Sequence, residues 1–440
     1  MSRQLELPFG ERGEAPTAAG NGEALAAANG DERSGNDDRL LEQVVARSNV
    51  KAALRRVKEN RGSAGVDGMT VGELSAYLAL HWEKLRDQLV SGSYQPQPVR
   101  RQTIPKSDGG VRELGIPTVL DRFVQQAILQ VLQPIFDPTF SEASYGFRPG
   151  RRAHDAVRRA QEHVQAGFSW VVDVDLERFF DRVNHDVLMG RLSKRIADRR
   201  VLGLVRRYLE AGVLSGGVVV ERYEGTPQGG PLSPLLANVL LDEVDRELEK
   251  RGHRFVRYAD DCNVYVRSRR AGERVMQSLV GLYARLHLRV NEAKSAVARP
   301  WERSFLGFSF WVAAGRTIRR RLAPKALASL KQRVREITRR SRGRSFGSVV
   351  EELSVYLRGW KEYFRLAETP GILHGLDQWI RRRLRLLQLK QWKRGTTAFR
   401  ELRARGVPEY PAARAASHVR RWWLTSKHVA LSIALPTAFF

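Results

Sequence analysis

Asp260 and Asp261 stand side by side within Phe255–Val266, between two apolar runs that read as strands around a tight turn. Asp175 closes a third apolar run, Ser169–Leu176. Carboxylates set among apolar residues are costly unless cations compensate them. Paired strands would bring the three acids together at strand ends. That donor set suits hard, oxygen-seeking cations, chiefly Mg²⁺. Two such ions about 4 Å apart are a common device of phosphoryl transfer, in which the protein positions groups and supplies charge. An Asp-Asp pair taken alone is more often a polar turn, so its neighbours must decide. Asp173 lies two residues before Asp175 on the same strand face and reads as a supporting acid.

The charge balance points to a polyanionic partner. The 440 residues hold 75 Lys plus Arg against 48 Asp plus Glu, a net charge of +27. Neutralising phosphates with such a surface releases condensed counterions. From Gly315 to Phe440 there are 29 Lys plus Arg against eight acids, whereas residues 1–38 carry three Arg and eight acids. Cys262 is the one cysteine, which excludes an intramolecular disulfide and a paired-thiolate zinc site. No apolar run is long enough for a transmembrane helix, and no secretory core is present, so a cytoplasmic location is expected.

Certain elements must position the acids. Residues 1–38 have little to bury and read as a disordered leader. Helical spacing begins near Leu40, and 60–70 is a Gly-rich loop. Thr103–Pro117 reads as a hairpin turning at Asp108-Gly109-Gly110. A long helix follows, with Phe123, Ala127, Ile128 and Val131 on one face. Strands alternating with helices make the middle of the chain an α+β sheet domain. Residues 323–393 read as Arg-rich helices interrupted near Ser341–Gly347.

Three motifs, in order, resemble those of reverse transcriptases, specifically the intron-encoded proteins of group II introns. Asp175-Leu-Glu-Arg-Phe-Phe-Asp181 is similar to the first catalytic motif and Tyr258-Ala-Asp-Asp261 to the second. Between them, Gly225-Thr-Pro-Gln-Gly-Gly-Pro-Leu-Ser-Pro-Leu-Leu-Ala-Asn238 is similar to the template- and nucleotide-binding motif. The resemblance implies a right-hand polymerase of α+β class: fingers and an antiparallel palm sheet over 39–314, then an all-α thumb or maturase domain over 315–394. Residues 395–440 resemble a small basic DNA-binding tail.

The resemblance also implies roles. Asp175, Asp260 and Asp261 would be catalytic and would bind two Mg²⁺ ions, Asp261 least directly. Lys106 and Arg112 would grip a triphosphate, as Arg binds phosphate bidentately and Lys as a point charge. Phe180 would be the gate against a 2′-hydroxyl, with Phe179 in the core. Pro227 and Gln228 would contact the nucleotide, and Lys294 the pyrophosphate. Arg148, in Ser144-Tyr-Gly-Phe-Arg-Pro149, would lie near the template. Trp301–Phe310 resembles the primer grip.

In the basic third, Arg358, Trp360, Arg381, Arg382, Arg383 and Trp392 would bind structured RNA through phosphate contacts and stacking. The implied function is RNA-directed DNA synthesis, with binding of a group II intron RNA to assist splicing and mobility. Expected partners are that RNA, an RNA template with a DNA primer, target DNA and deoxynucleoside triphosphates. Two alternatives stay open: a domesticated or defence-associated enzyme without an intron, and a protein acting mainly as an RNA-binding splicing cofactor. The length and the single cysteine resemble the bacterial class without an endonuclease domain.

Overall fold

The structure, a computed structural model, describes residues 39–105, 111–215, 218–220, 222–339 and 343–436. The expected leader and the turn at 108–110 lie outside these residues. The chain forms two compact units divided between Arg303 and Ser304. Both combine helices with antiparallel strand pairs.

The first unit holds two four-stranded sheets. One contains β1 (Val99–Pro105), β2 (Val111–Ile116), β4 (Val213–Ser215) and β5 (Val218–Val220), in the order β2-β1-β4-β5. Its β1–β2 and β4–β5 pairs are antiparallel, and β1 and β4 run parallel. The two strands of the 103–117 hairpin therefore pair as read. The second sheet contains β3 (Trp170–Val174), β6 (Arg254–Tyr258), β7 (Asp261–Val266) and β8 (Ala296–Ala298), ordered β6-β7-β3-β8 and antiparallel throughout. Val171, Val172, Val174, Val256 and Val264 are buried, so both faces of this sheet are covered. Helix Arg269–Arg285 packs against it through Gly272, where a Cβ would stand 2.4 Å from Val297 Cγ1.

Helix Val119–Phe136 runs through the core. Thr118 caps it, its hydroxyl accepting from the Asp121 amide at 3.0 Å, which satisfies an otherwise orphaned donor. Its buried face carries Phe123, Ala127, Ile128 and Leu132. Val131, expected on that face, is only half-buried. Helix Ser233–Lys250 buries eleven of its 18 residues, including the polar Asn238 and Asp245.

In the second unit, the stretch after 314 opens with a strand rather than a helix. β10 (Ile318–Leu322) pairs antiparallel with β9 (Phe308–Val312). Helices Pro324–Ile337, Phe346–Phe364 and Pro370–Trp392 follow, consistent with the periodicity of 323–393. Residues from Leu389 to Leu435 form a separate apolar cluster around Leu402, Val407, Ala412 and Leu431. Among the described residues no helix is long and apolar enough to cross a membrane.

Candidate active site

β3 ends at Val174, whose partner across the ladder is Cys262. β6 and β7 close on the pair Tyr258–Asp261, leaving Ala259 and Asp260 as a two-residue turn. The continued register sets Asp175 beside Asp261, with Asp260 at the adjoining tip. All three are half-buried, so the tip is open on one side. Ala259 has φ +55°, the left-handed geometry that two-residue hairpins require. Cys262 is wholly buried, and burial pushes its thiol up to about 12. It behaves as a small hydrophobe, as expected.

The main chain of Asp175 is fixed by the loop before β8. Its amide donates to Ser295 Oγ at 3.0 Å, and its carbonyl accepts from the Asn291 amide at 2.8 Å. The Glu177 amide donates to the Arg289 carbonyl at 2.9 Å. Lys294 is exposed at the end of this loop. Arg303 ties the loop back to the strand, its Nε donating to Asp173 at 2.7 Å while another of its N–H groups donates to the Lys294 carbonyl. Burial raises the Asp173 carboxyl above its usual range, Arg303 pulls against that, and the charge of Asp175 adds to it. Asp173 is thus a braced acid behind Asp175.

A 3₁₀ turn, Phe179–Asp181, leads away from the acids. Phe179 is buried in the core, while Phe180 is half-buried with its ring centroid 6.4 Å from that of Phe147. The Phe180 carbonyl accepts from Thr226 at 2.7 Å, which joins this turn to the 225–238 motif. Pro227 is buried, its carbonyl accepting from Ser233 Oγ at 2.8 Å. The Gln228 carbonyl accepts from Gly115 at 2.9 Å. Gln228 also lines a cavity of about 550 Å³ with Arg101, Glu113, Asp181, Arg222 and Tyr223. Lys106 lies outside the described residues. Arg112 stands opposite Ile104 in the β1–β2 ladder.

The candidates for nucleic-acid contact separate. Arg148 is 3% exposed, and its guanidinium donates to Asp137 and to the Ser141 and Ser144 carbonyls. This corrects the sequence expectation: its donors already face protein acceptors. Trp360 and Trp392 are likewise buried, Trp360 at 4.7 Å from the Phe364 ring. Arg381 pairs with Asp377 at 2.6 Å, Arg382 lies over the Trp423 ring at 4.0 Å, and Arg383 donates to Thr338 Oγ1 at 2.6 Å. Successive helical residues point about 100° apart, so this triplet cannot share one face. Arg358 is exposed.

Sequence reading missed Arg257 and Asp245. Both side chains have 0% exposure, with Arg257 Nε donating to the Asp245 oxygens at 2.8 and 3.0 Å. Burial opposes the Arg257 charge, and the field of Asp245 more than offsets it, so the net shift is upward. The available signal was an arginine amid the apolar run of β6, which demands a buried partner.

Among the described residues no three His, Cys, Asp or Glu side chains lie close enough to hold one ion. The donors at the hairpin are oxygens only, which fits a hard cation. Mg²⁺ is commonly held by one or two carboxylates with waters and substrate phosphates rather than by a protein cage.

The reverse transcriptase (RNA-dependent DNA polymerase) family profile matches residues 104–310. The group II intron, maturase-specific domain profile matches residues 327–406. Protein YkfC of Escherichia coli (strain K12) is 41% identical over 219 residues, 48% of this chain and 58% of that protein. Group II intron-encoded protein LtrA of Lactococcus lactis subsp. cremoris is 36% identical over 195 residues, 44% of this chain and 32% of that protein. A solved chain in a partial Cas6-RT-Cas1–Cas2 complex is 29% identical with a TM-score of 0.37, covering 56% of this chain and 42% of that chain. The matched region thus spans less than two thirds of each of these relatives. Residues 104–310 are therefore a reverse transcriptase domain and residues 327–406 a group II intron maturase-specific domain.

Proposed function

We propose that the chain is an RNA-directed DNA polymerase that also binds its group II intron RNA to assist splicing and mobility. The observation that carries the reading is the ladder register that sets Asp175 beside the Asp260–Asp261 hairpin, inside a reverse transcriptase domain.

Asp175, Asp260 and Asp261 are the residues that would hold Mg²⁺. When bound, Mg²⁺ supplies positive charge that acidifies a primer 3′-hydroxyl and neutralises the triphosphate. The chain's own residues do the positioning. The loop before β8 holds Asp175 by both its amide and its carbonyl, so the carboxylate leaves the strand end in a fixed direction. Phe180 bounds the site where a sugar would lie, and its bulk disfavours a 2′-hydroxyl. Gln228 and Pro227 sit on a backbone pinned to Gly115 and Ser233, which suits them to orient a base pair. Lys106, Arg112 and Lys294 are the proposed phosphate ligands.

The proposed domain roles follow. Residues 39–314 act as fingers and palm, 315–394 as thumb or maturase domain, and 395–440 as a DNA-binding tail. Arg358, exposed on its helix, is the strongest phosphate contact among the named arginines. The partners are an intron RNA, a primed RNA template, target DNA and deoxynucleoside triphosphates.

The test is primer extension on an RNA template in Mg²⁺. Asp260→Ala should abolish synthesis and leave RNA binding intact; persistent synthesis would overturn the site. Phe180→Ala should raise ribonucleotide incorporation, and an unchanged sugar preference would overturn the gate.

A further inference from the structure

The turn that carries Asp260 is held from below by side chains that the proposed reaction does not use. Arg257 Nη1 donates to the Ala259 carbonyl at 2.9 Å and to Asn238 Oδ1 at 2.9 Å. Its Nε is taken by Asp245. Asn238 spends its own amide on the Gly146 carbonyl at 2.9 Å. Gly146 lies against the turn, where a Cβ would stand 2.2 Å from the Ala259 nitrogen. The Arg257 main chain is fixed too, its amide donating to Ala143 and its carbonyl accepting from Tyr145, both at 2.9 Å. The buried guanidinium therefore joins helix Ser233–Lys250 to the hairpin turn, and the Asn238 amide and the Arg257 main chain join both to the 143–146 loop.

Bulk stability does not explain this arrangement. Replacing a buried ion pair by apolar residues of similar volume is often neutral or stabilising. An apolar side chain would fill the space but could not orient a carbonyl. The guanidinium fork has fixed donor directions. Bonding Asp245, Asn238 and Ala259 at once fixes where the Ala259 carbonyl lies, and the next residue is Asp260. Ala259 also needs such restraint. Its left-handed φ is unfavourable for a residue with a Cβ, and such geometry persists only where the surroundings over-determine it.

We infer that Arg257, Asn238 and Asp245 form a positioning network that sets the Asp260 carboxylate for reaction. The inference rests on reading Asp260 as a catalytic carboxylate. None of the three touches substrate; each acts through the main chain of the turn. Because Asn238 is also bonded to Gly146, the network couples the acid turn to the Ser144–Pro149 loop.

The experiment uses the full chain with Asn238→Ala and Arg257→Lys. Asn238→Ala leaves the ion pair whole, and Arg257→Lys keeps the charge without the fork. A misplacement of about 1 Å at a reacting group lowers rate on the order of a hundredfold. The expected result is kcat lower by about tenfold to a hundredfold, with nucleotide KM and primer–template Kd within about twofold of wild type. Hydrogen exchange should quicken in the peptides over 255–265 and 143–147 and stay unchanged elsewhere. Wild-type kcat, or unchanged exchange at the turn, in either folded variant would overturn the network. Loss of synthesis in Asp260→Ala but not in Asn238→Ala removes this inference alone. Synthesis surviving in Asp260→Ala removes the active-site reading and this inference with it.

Discussion

Arg148 donates its Nε to the Asp137 carboxylate at 2.9 Å and its Nη2 to the Asp137 carbonyl at 2.8 Å. The same guanidinium reaches the Ser141 and Ser144 carbonyls, so it closes the loop after helix Val119–Phe136 onto the helix end. The Ser141 carbonyl also accepts from the Ser144 amide at 3.1 Å and the Asp137 carbonyl from the Phe140 amide at 3.2 Å, so the Asp137 carboxylate and the Ser144 carbonyl rely most on the guanidinium.

Arg148→Ala should therefore act on stability. Leaving the Ser144 carbonyl and a partly buried carboxylate without the guanidinium costs about 2–4 kcal/mol. Urea unfolding would measure it as a lower midpoint. RNA affinity of the folded variant should stay within about twofold of wild type, and a large loss of affinity at unchanged midpoint would refute the assignment.

Arg358 should behave in the opposite way. It is exposed on helix Phe346–Phe364, whereas Trp360 on the same helix faces inward. Each phosphate neutralised adds about 0.7–0.9 to the slope of log affinity against log salt. Arg358→Ala should reduce that slope by about one contact while leaving the unfolding midpoint unchanged. An unaltered slope would mean that this face meets no phosphate.

The contrast between these arginines shows what was legible in the chain. The hairpin around Ala259-Asp260 could be read because two apolar runs flank a two-residue gap, and strand pairing is local there. The helices of 323–393 could be read from their period. Burial of single polar residues could not. Arg257 takes its meaning from Asp245 and Asn238, which lie twelve and 19 residues earlier on a helix. Arg148 sits in a recognisable motif, but a motif does not say whether its arginine faces water. Trp360 and Trp392 are interleaved with arginines in sequence, yet they turn inward because aromatic area is the largest available contribution to a small helical core.

His163 gives a pH dependence. It is buried beside Tyr265, ring centroids 5.5 Å apart, and burial together with the fields of Arg159 and Arg254 lowers its pKa from 6.5 to about 4. The folded chain keeps this imidazole neutral, while the unfolded chain protonates it near 6.5. Its contribution to stability is thus complete above pH 6.5 and is lost as pH falls from 6.5 toward 4. His163→Phe removes this linkage. Urea midpoints of wild type should fall relative to His163→Phe across that window, and parallel curves would refute the shift.

Two glycines offer an internal comparison of packing against propensity. Gly281 lies inside helix Arg269–Arg285, and a methyl group added there would have nothing within 4 Å. Alanine at this position gains helix propensity and should stabilise by about 0.5–1 kcal/mol. At Gly146 the methyl would meet the Ala259 nitrogen at 2.2 Å and the Tyr258 carbonyl carbon at 2.9 Å. Both are main-chain atoms of the turn that carries Asp260, so no side chain can swing aside. Gly146→Ala should destabilise by about 1–3 kcal/mol through overpacking. It should also shift the turn, so primer extension should fall further than the loss of folded protein accounts for. Measuring activity per folded molecule in both variants separates the two effects. Equal specific activity in Gly146→Ala and Gly281→Ala would show that the loop can retreat without moving the acid.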